Sequence, residues 1–176
     1  MNRTPRLAID MDEVIADTID KFITLYKREH NIDIPLSQMH GKEFRDMLPT
    51  ELAGTNRKYI NELGFFRDIK VIPDSQHVVK ELCQKYDVFI VSAATEFKNS
   101  LIDKMDWLEE HFPFISWTNI IFCGRKIVDV DIFIDDRIRN FTDFEGRKLL
   151  YTSPHNVTIT DYERVNNWQE VAQKLL

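Results

Sequence analysis

Glycine, proline and cysteine are scarce in this 176-residue chain, at five, six and two residues. So few chain breakers, set among frequent apolar runs, exclude a disordered or low-complexity protein. The two cysteines, Cys83 and Cys123, allow at most one disulfide and read better as half-buried thiols in a reducing compartment. No apolar run approaches the roughly 20 residues that a membrane-spanning helix needs. An excess of positive charge is also missing: 23 Lys and Arg stand against 29 Asp and Glu, a formal charge of −6. That argues against a broad basic face for a nucleic-acid polymer. It leaves room for a small anionic substrate, because a metal ion and a few local cations can reverse the field inside a pocket. Residues Met1 to Arg6 lead into a short apolar stretch that soon meets Asp10 and Asp12, the pattern of a strand entering a site rather than of a secretory leader. A cytoplasmic protein without a membrane partner is expected.

What is present is a hydrophobic fraction of 43% and a charged fraction of 30%, enough for one compact domain carrying an insertion. Five short runs read as buried parallel strands, being apolar throughout rather than alternating: Leu7-Ala8-Ile9, Val88 to Val91, Ile120 to Phe122, Ile132 to Ile134 and Leu149 to Tyr151. Helical periodicity separates them. Asp74 is placed to cap a helix carrying Val78, Val79, Leu82, Cys83 and Tyr86. Leu101, Ile102, Met105, Leu108 and Phe112 form a second stripe, and Trp168 to Leu176 a closing helix. Strands alternating with helices predict a doubly wound α/β parallel sheet. The stretch after the first strand is too long for a simple crossover. It holds an amphipathic helix with Ile15, Ile19, Phe22, Ile23 and Tyr26 on one face. Residues 15–72 are therefore expected to form a small helical cap over the carboxyl ends of the strands, with 1–14 and 73–176 as the core.

The chemistry sits at strand ends. Asp10-Met11-Asp12 closes the first strand. Successive residues of a strand point oppositely, so Asp10 and Asp12, two apart, share a side and both acids can face one site. One carboxylate can then attack phosphorus while the other handles protons. Alone, Asp-x-Asp is a common tripeptide, and Asp12 would be read as a helix cap. Asp135-Asp136 closes another buried strand, where adjacent acids resist desolvation unless a cation sits nearby. Hard oxygen ligands suit Mg²⁺. Ser92 ends the second strand before Ala93, where a hydroxyl and backbone N–H groups can receive an anion. Arg125-Lys126 offers a cation to hold a phosphate beside the acids. The five histidines show no metal-ligand spacing and read as surface or structural residues.

In this order and placement, Asp10-Met11-Asp12-Glu13-Val14, Ser92, Lys126 and Ile134-Asp135-Asp136 resemble the four motifs of haloacid dehalogenase-like phosphohydrolases. A closer resemblance is to the 5′(3′)-deoxyribonucleotidase family, carried also by Gly64-Phe65-Phe66, Ile72-Pro73, Asp131 to Arg137 and Thr152 to Asn156. The second motif departs from it, with Ser92-Ala93 in place of Thr-Ser. The third motif is spaced more tightly, so Arg125 competes with Lys126 for the phosphate-binding role. The resemblance implies a Mg²⁺-dependent phosphatase for deoxyribonucleoside monophosphates. Asp10 would be the nucleophile, forming an aspartyl phosphate, and Asp12 the acid and then base. Ser92, Ala93 and Lys126 would bind phosphate. The metal set would be Asp10, the main-chain carbonyl of Asp12, Asp136 directly and Asp135 at one remove. In the cap, Phe44, Phe65 and Phe66 are candidates to stack on a base, whereas Phe22 lies on the apolar stripe and reads as core. The substrate partner is a small phosphomonoester, bound by a monomer or homodimer. A sugar phosphate or other small phosphomonoester is the alternative. A signalling receiver domain fits poorly, since its acceptor lies on a later strand and it needs no cap.

Overall fold

The computed structural model describes residues 3–176; Met1 and Asn2, the start of the segment read above as running straight into the first strand, lie outside the described residues. All five apolar runs form strands: β1 (Arg6–Asp10), β2 (Asp87–Ser92), β3 (Ile120–Phe122), β4 (Ile132–Asp135) and β5 (Arg147–Tyr151). A sixth, β6 (Arg164–Val165), is only two residues long and carries no apolar run. Its Arg164 guanidinium fixes it from the side, donating to Thr152 Oγ1 (3.0 Å) and Asn156 Oδ1 (2.8 Å). The order is β3-β2-β1-β4-β5-β6, every pair parallel. β1 is central, with Ile9 level with Ile90 on one side and Ile134 on the other. The strand order reverses between β1 and β4, and in an open parallel sheet that reversal leaves a crevice beyond the carboxyl ends. Asp10 and Asp135 are the last residues of those two strands.

The helices are α1 (Thr18–His30), α2 (Thr55–Ile60), α3 (Ser75–Leu82), α4 (Ser100–His111) and α5 (Trp168–Leu175). α1 starts at Thr18 because Asp17 caps it, accepting from Asp20 N at 2.9 Å; Ile15 is buried in the turn ahead of it, not on its stripe. Asp74 stands at the start of α3 but does not cap it through its side chain. Its backbone is left-handed (φ 64°), and its carboxylate accepts from the Gln169 side chain of α5 instead. The stripe expected on α4 is rotated: Ile102 is 66% exposed, and the buried face is Ser100, Asp103, Lys104, Trp107 and Leu108. Two charged residues on a buried face require partners there, and both find them.

Side chains of all the helices pack into one cluster with Leu7, Ile9, Ile90 and Ile134. The opposite face of the sheet, Ala8, Val91, Phe133 and Leu150, is covered by Phe141 and Phe144, with Cys123, Val128, Val130, Ile159 and Tyr162 at its edge. Burying a large side chain contributes about 1.5–3 kcal/mol, against about 0–1 kcal/mol for a surface ion pair. Trp107 and Trp168, each 0% exposed, therefore secure α4 and α5 more firmly than the many surface pairs. Their indoles donate to Ile69 O (2.7 Å) and Val14 O (2.8 Å), so neither buries an unpaired N–H.

The segment between β1 and α3 contains α1, α2 and single 3-10 turns at Leu36–Met39, Phe44–Met47 and Thr50–Leu52. Its links to the rest of the chain include two made by backbone N–H groups. In one, the Asp103 carboxylate accepts from Gly64 N (2.8 Å) and Phe66 N (3.4 Å). In the other, Gly41 N donates to Pro154 O at 2.8 Å. Among the described residues no helix is long and apolar enough to cross a membrane.

Gly146 sits where the chain enters β5 with no room for a side chain. A Cβ there would lie 2.5 Å from Asp131 O, which accepts from Arg147 N, and would overlap Phe144. Gly146→Ala should lower unfolding free energy by about 1–3 kcal/mol, the usual cost of overpacking; urea denaturation with an unchanged midpoint would show that the turn yields freely.

Candidate active site

At the end of β1 the chain doubles back. The N–H groups of Ile15 and Ala16 both donate to Met11 O, and Glu13 N donates to Ala16 O. Glu13 takes a left-handed backbone (φ 62°), which a non-glycine residue adopts at some cost. Its carboxylate secures the turn by accepting from Thr18 Oγ1 and from Ile19 N (2.8 Å) at the start of α1. The turn brings Asp10 and Asp12 to the wall of one cavity of about 950 Å³.

Asp136 joins them from the end of β4. Asp10, Asp135 and Asp136 each offer a carboxylate oxygen within 4.8 Å of the others, and all three are buried. They are not equivalent. Asp135 is saturated, accepting from Lys126 Nζ (2.8 Å), Arg137 N (2.8 Å) and Asn140 Nδ2 (2.8 and 2.9 Å). Asp10 accepts from Met11 N (2.7 Å) and faces Lys126 Nζ at 2.6 Å. Both Asp136 oxygens and Asp12 Oδ1 are buried with no hydrogen-bond partner among the described residues. The Asp136 main-chain carbonyl is held by His155 Nε2 (3.1 Å) and Asn156 Nδ2 (2.8 Å). His155 is thus a structural support at the cavity wall, not a surface residue.

The electrostatics follow from this crowding. Burial and the neighbouring Asp135 push the Asp10 carboxyl up to about 7, against the pull of Lys126. Burial, with Asp10 and Asp135, raises Asp136 well above the usual carboxylate range. Burial lifts Glu13 to about 8. Burial works against the Lys126 ammonium, yet Asp10 and Asp135 hold it above an ordinary lysine. An unpartnered, buried, oxygen-only donor set beside two further carboxylates fits a hard divalent cation such as Mg²⁺. Among the described residues both Asp136 oxygens and Asp12 Oδ1 are the ones without a hydrogen-bond partner, Asp10 Oδ1 faces Lys126, and Asp135 is engaged elsewhere.

Ser92, at the end of β2, is fully buried, and its Oγ accepts from Lys104 Nζ at 2.9 Å. The same ammonium donates to Asp12 Oδ2 at 2.5 Å and lies 4.5 Å from the centre of the Phe66 ring. The sequence pointed to Lys126 or Arg125 as the cation beside this strand end. Arg125 instead is exposed and paired with Asp143, and Lys126 is enclosed by Asp10 and Asp135. Lys104 is the cation that joins Ser92 to Asp12. Its signal in the sequence was Asp103-Lys104, each four residues before Trp107-Leu108, on what proves to be the buried face. Ala93 lines the cavity beside it.

The far wall comes from the 15–72 segment. Phe44 and Phe66 line the cavity, and Phe22 does so too, stacked on Phe44 (centroids 5.2 Å, 22°). Phe65 does not line it: the ring is buried behind the wall, 5.1 Å from Phe22. Phe65 and Phe66 are both expected at the cavity, but neighbouring residues of the Gly64-Phe65-Phe66 turn point apart and Phe66 is the one turned inward, while Phe22, expected in the core, reaches the wall. Glu43 and Arg137, from opposite walls, form a two-toothed ion pair at 2.7 and 3.1 Å.

Acids at the reversal point of a parallel 3-2-1-4-5-6 sheet, with a hydroxyl and a lysine at the adjoining strand end, define a haloacid dehalogenase-like phosphohydrolase. Similar solved structures share the fold. A haloacid dehalogenase-like family hydrolase from Streptococcus pneumoniae matches with a TM-score of 0.62 at 13% identity over 98% of each chain. A HAD-hydrolase from Bacillus subtilis bound to magnesium gives 0.59 at 15% identity over 99% of each chain. Within that class, the chain belongs to the family described as 5′ nucleotidase, deoxy (pyrimidine), cytosolic type C protein, whose model matches residues 4–176. The 5′(3′)-deoxyribonucleotidase of Bacillus subtilis is 40% identical over 173 residues, covering 97% of this chain and 98% of that one. A 5′(3′)-deoxyribonucleotidase of Bacillus phage SPbeta matches to the same extent. The protein is a phosphoric monoester hydrolase of the 5′-nucleotidase type.

The raised carboxyls make the metal-free protein sensitive to pH. Their folded-state values lie above the roughly 4 of an unfolded carboxyl, so folding takes up protons between about pH 4 and pH 8 and stability falls as pH rises through that window. In chelator, the thermal midpoint should be higher at pH 5.5 than at pH 8. Asp136→Asn should raise the midpoint at pH 8 and shrink the difference, because an unpaired amide costs less to bury than an unpaired charge. A midpoint lowered by that substitution would contradict the crowding described here.

Proposed function

We propose that the protein is a Mg²⁺-dependent deoxyribonucleotidase that releases phosphate from deoxyribonucleoside monophosphates through an aspartyl-phosphate intermediate on Asp10. The observation that carries this reading is the pairing of the buried Asp10 and Asp136 carboxylates, the second without a hydrogen-bond partner among the described residues, with a lysine fixed between Asp12 and Ser92. Asp10, Asp136 and the main-chain carbonyl of Asp12 would hold the metal, with Asp135 supporting from behind. Mg²⁺ bound there would cancel carboxylate charge and polarise the phosphoryl group.

The chain's own residues supply the remainder. Asp10 attacks phosphorus in line with the leaving alcohol. Lys104 and Ser92 receive the phosphoryl oxygens, with Ala93 leaving space for their approach; the lysine lowers the repulsion between a carboxylate and a phosphate dianion. Lys126 keeps Asp10 and Asp135 in register. Asp12 gives its proton to the departing sugar oxygen. It then takes one from the water that cleaves the acyl phosphate, so acid and base are one group used twice. Residues 15–72 act as the cap over this site, with Phe22, Phe44 and Phe66 as the face on which the base rests. A cytoplasmic setting belongs to the same reading, since that is where such nucleotides occur.

Phosphate release across a panel of phosphomonoesters, with and without Mg²⁺, tests this. Deoxyribonucleoside monophosphates should lead sugar phosphates by at least about tenfold in kcat/KM, which is about 1.4 kcal/mol of transition-state preference. Parity between the two groups would favour a general small-molecule phosphatase. Asp10→Asn should lose at least about 10⁴-fold in kcat, as expected when a nucleophile is removed. Lys104→Met should lose about 10²–10³-fold, the scale of one lost charge-stabilising donor. An active Asp10→Asn variant would rule out this nucleophile, and an undamaged Lys104→Met variant would return the phosphate-binding role to Lys126.

A further inference from the structure

The Glu43–Arg137 pair occupies a particular place in the chain. Glu43 immediately precedes Phe44, one of the aromatic side chains at the cavity wall, and Arg137 immediately follows Asp136, the carboxylate with no hydrogen-bond partner among the described residues. The two residues are 94 apart in sequence, and their bond joins the 15–72 segment to the loop after β4. Both side chains are about one-third exposed, at 31% and 32%. Each is also fixed from behind. Glu43 N donates to Asp46 Oδ2 (3.1 Å) and Glu43 O accepts from Asp46 N (3.0 Å), which sets the 3-10 turn carrying Phe44. Phe44 in turn stacks on Phe22 and lies 5.3 Å from Tyr26. On the other side, Arg137 N donates to Asp135 Oδ1 (2.8 Å), and its Nε lies 3.9 Å from Asp136 Oδ2. A two-toothed Arg–carboxylate bond fixes orientation as well as distance, and a partly buried one is costly to break from one side. A shift of the acid loop is therefore transmitted to the aromatic wall, and the reverse.

We infer that Glu43 and Arg137 are positioning residues that couple the base-binding wall to the metal-binding carboxylates, so that occupation of either subsite strengthens the other. This rests on the deoxyribonucleotidase reading above. Neither residue needs to touch the reacting atoms. Coupling through such a link is reciprocal: whatever factor a bound base adds to metal affinity, metal must add to affinity for the base. The link would favour a base and a cation bound together over either bound alone.

A nucleoside without phosphate separates the two subsites, because it can reach the aromatic wall but offers the metal no phosphoryl ligand. The dissociation constant of Mn²⁺, read by electron paramagnetic resonance on the whole protein, is measured with and without saturating deoxyuridine. In the wild type the nucleoside should tighten Mn²⁺ binding by about fivefold, the lower end of ordinary coupling. Glu43→Gln keeps the shape but removes the charge pairing, and should bring the ratio to within about twofold of unity. Arg137→Lys keeps the charge but loses the fork, should do likewise, and serves as the readout if Glu43→Gln fails to fold. A wild-type ratio of one, or a folded Glu43→Gln protein that retains the full ratio, overturns the coupling while leaving the enzymatic reading intact. Deoxyuridine that fails to bind the wild type at all removes the deoxyribonucleotidase reading and the coupling with it.

Discussion

The rest of the structure is organised around the mutual repulsion of carboxylates that strand order forces into one place. β1 and β4 are hydrogen-bonded neighbours whose last residues are both aspartates, so Asp10 and Asp135 meet by topology alone. Asp136 adds a third buried acid. Nothing about a parallel sheet tolerates three such charges unless something answers them. Lys126 is enclosed between Asp10 and Asp135, Asn140 takes both oxygens of Asp135, and His155 and Asn156 hold the backbone of Asp136. Among the described residues no hydrogen bond reaches Asp136's own carboxylate, and that deficit is what suits the site to a cation.

Much of the fold was legible because it rests on patterns with a strong physical cause. Buried parallel strands must be apolar throughout, and all five such runs are strands. β6 escaped notice because its position depends on Arg164 reaching across to Thr152 and Asn156, a tertiary contact that leaves no local pattern. The acids were legible for a related reason: Asp10, Asp135 and Asp136 each follow an apolar run, where a charge is conspicuous.

The cation that joins Ser92 to Asp12 was less visible. Lys104 lies inside a helix whose apolar residues suggested a different face, and only the burial of Trp107 reveals that Asp103 and Lys104 turn inward. Sequence also sorted the aromatic residues of the 15–72 segment imperfectly. Phe22 shares a helical stripe with core residues yet reaches the cavity, whereas Phe65, beside a glycine in an apparent loop, is packed away behind it. In both cases the deciding fact is the direction of a side chain within an irregular or rotated element, which spacing along the chain does not determine.

Asp103 and Lys104 are consecutive residues on one turn of α4, yet they serve opposite masters: the first grips the backbone of Gly64 and Phe66, the second reaches Asp12 and Ser92. The ring of Phe66 closes over the lysine between them. Remodelling the Gly64–Phe66 turn to admit a bulkier guest would therefore tug on the ammonium through a single rigid peptide unit. Lineages diversifying what they cleave would find this corner of the wall hard to alter.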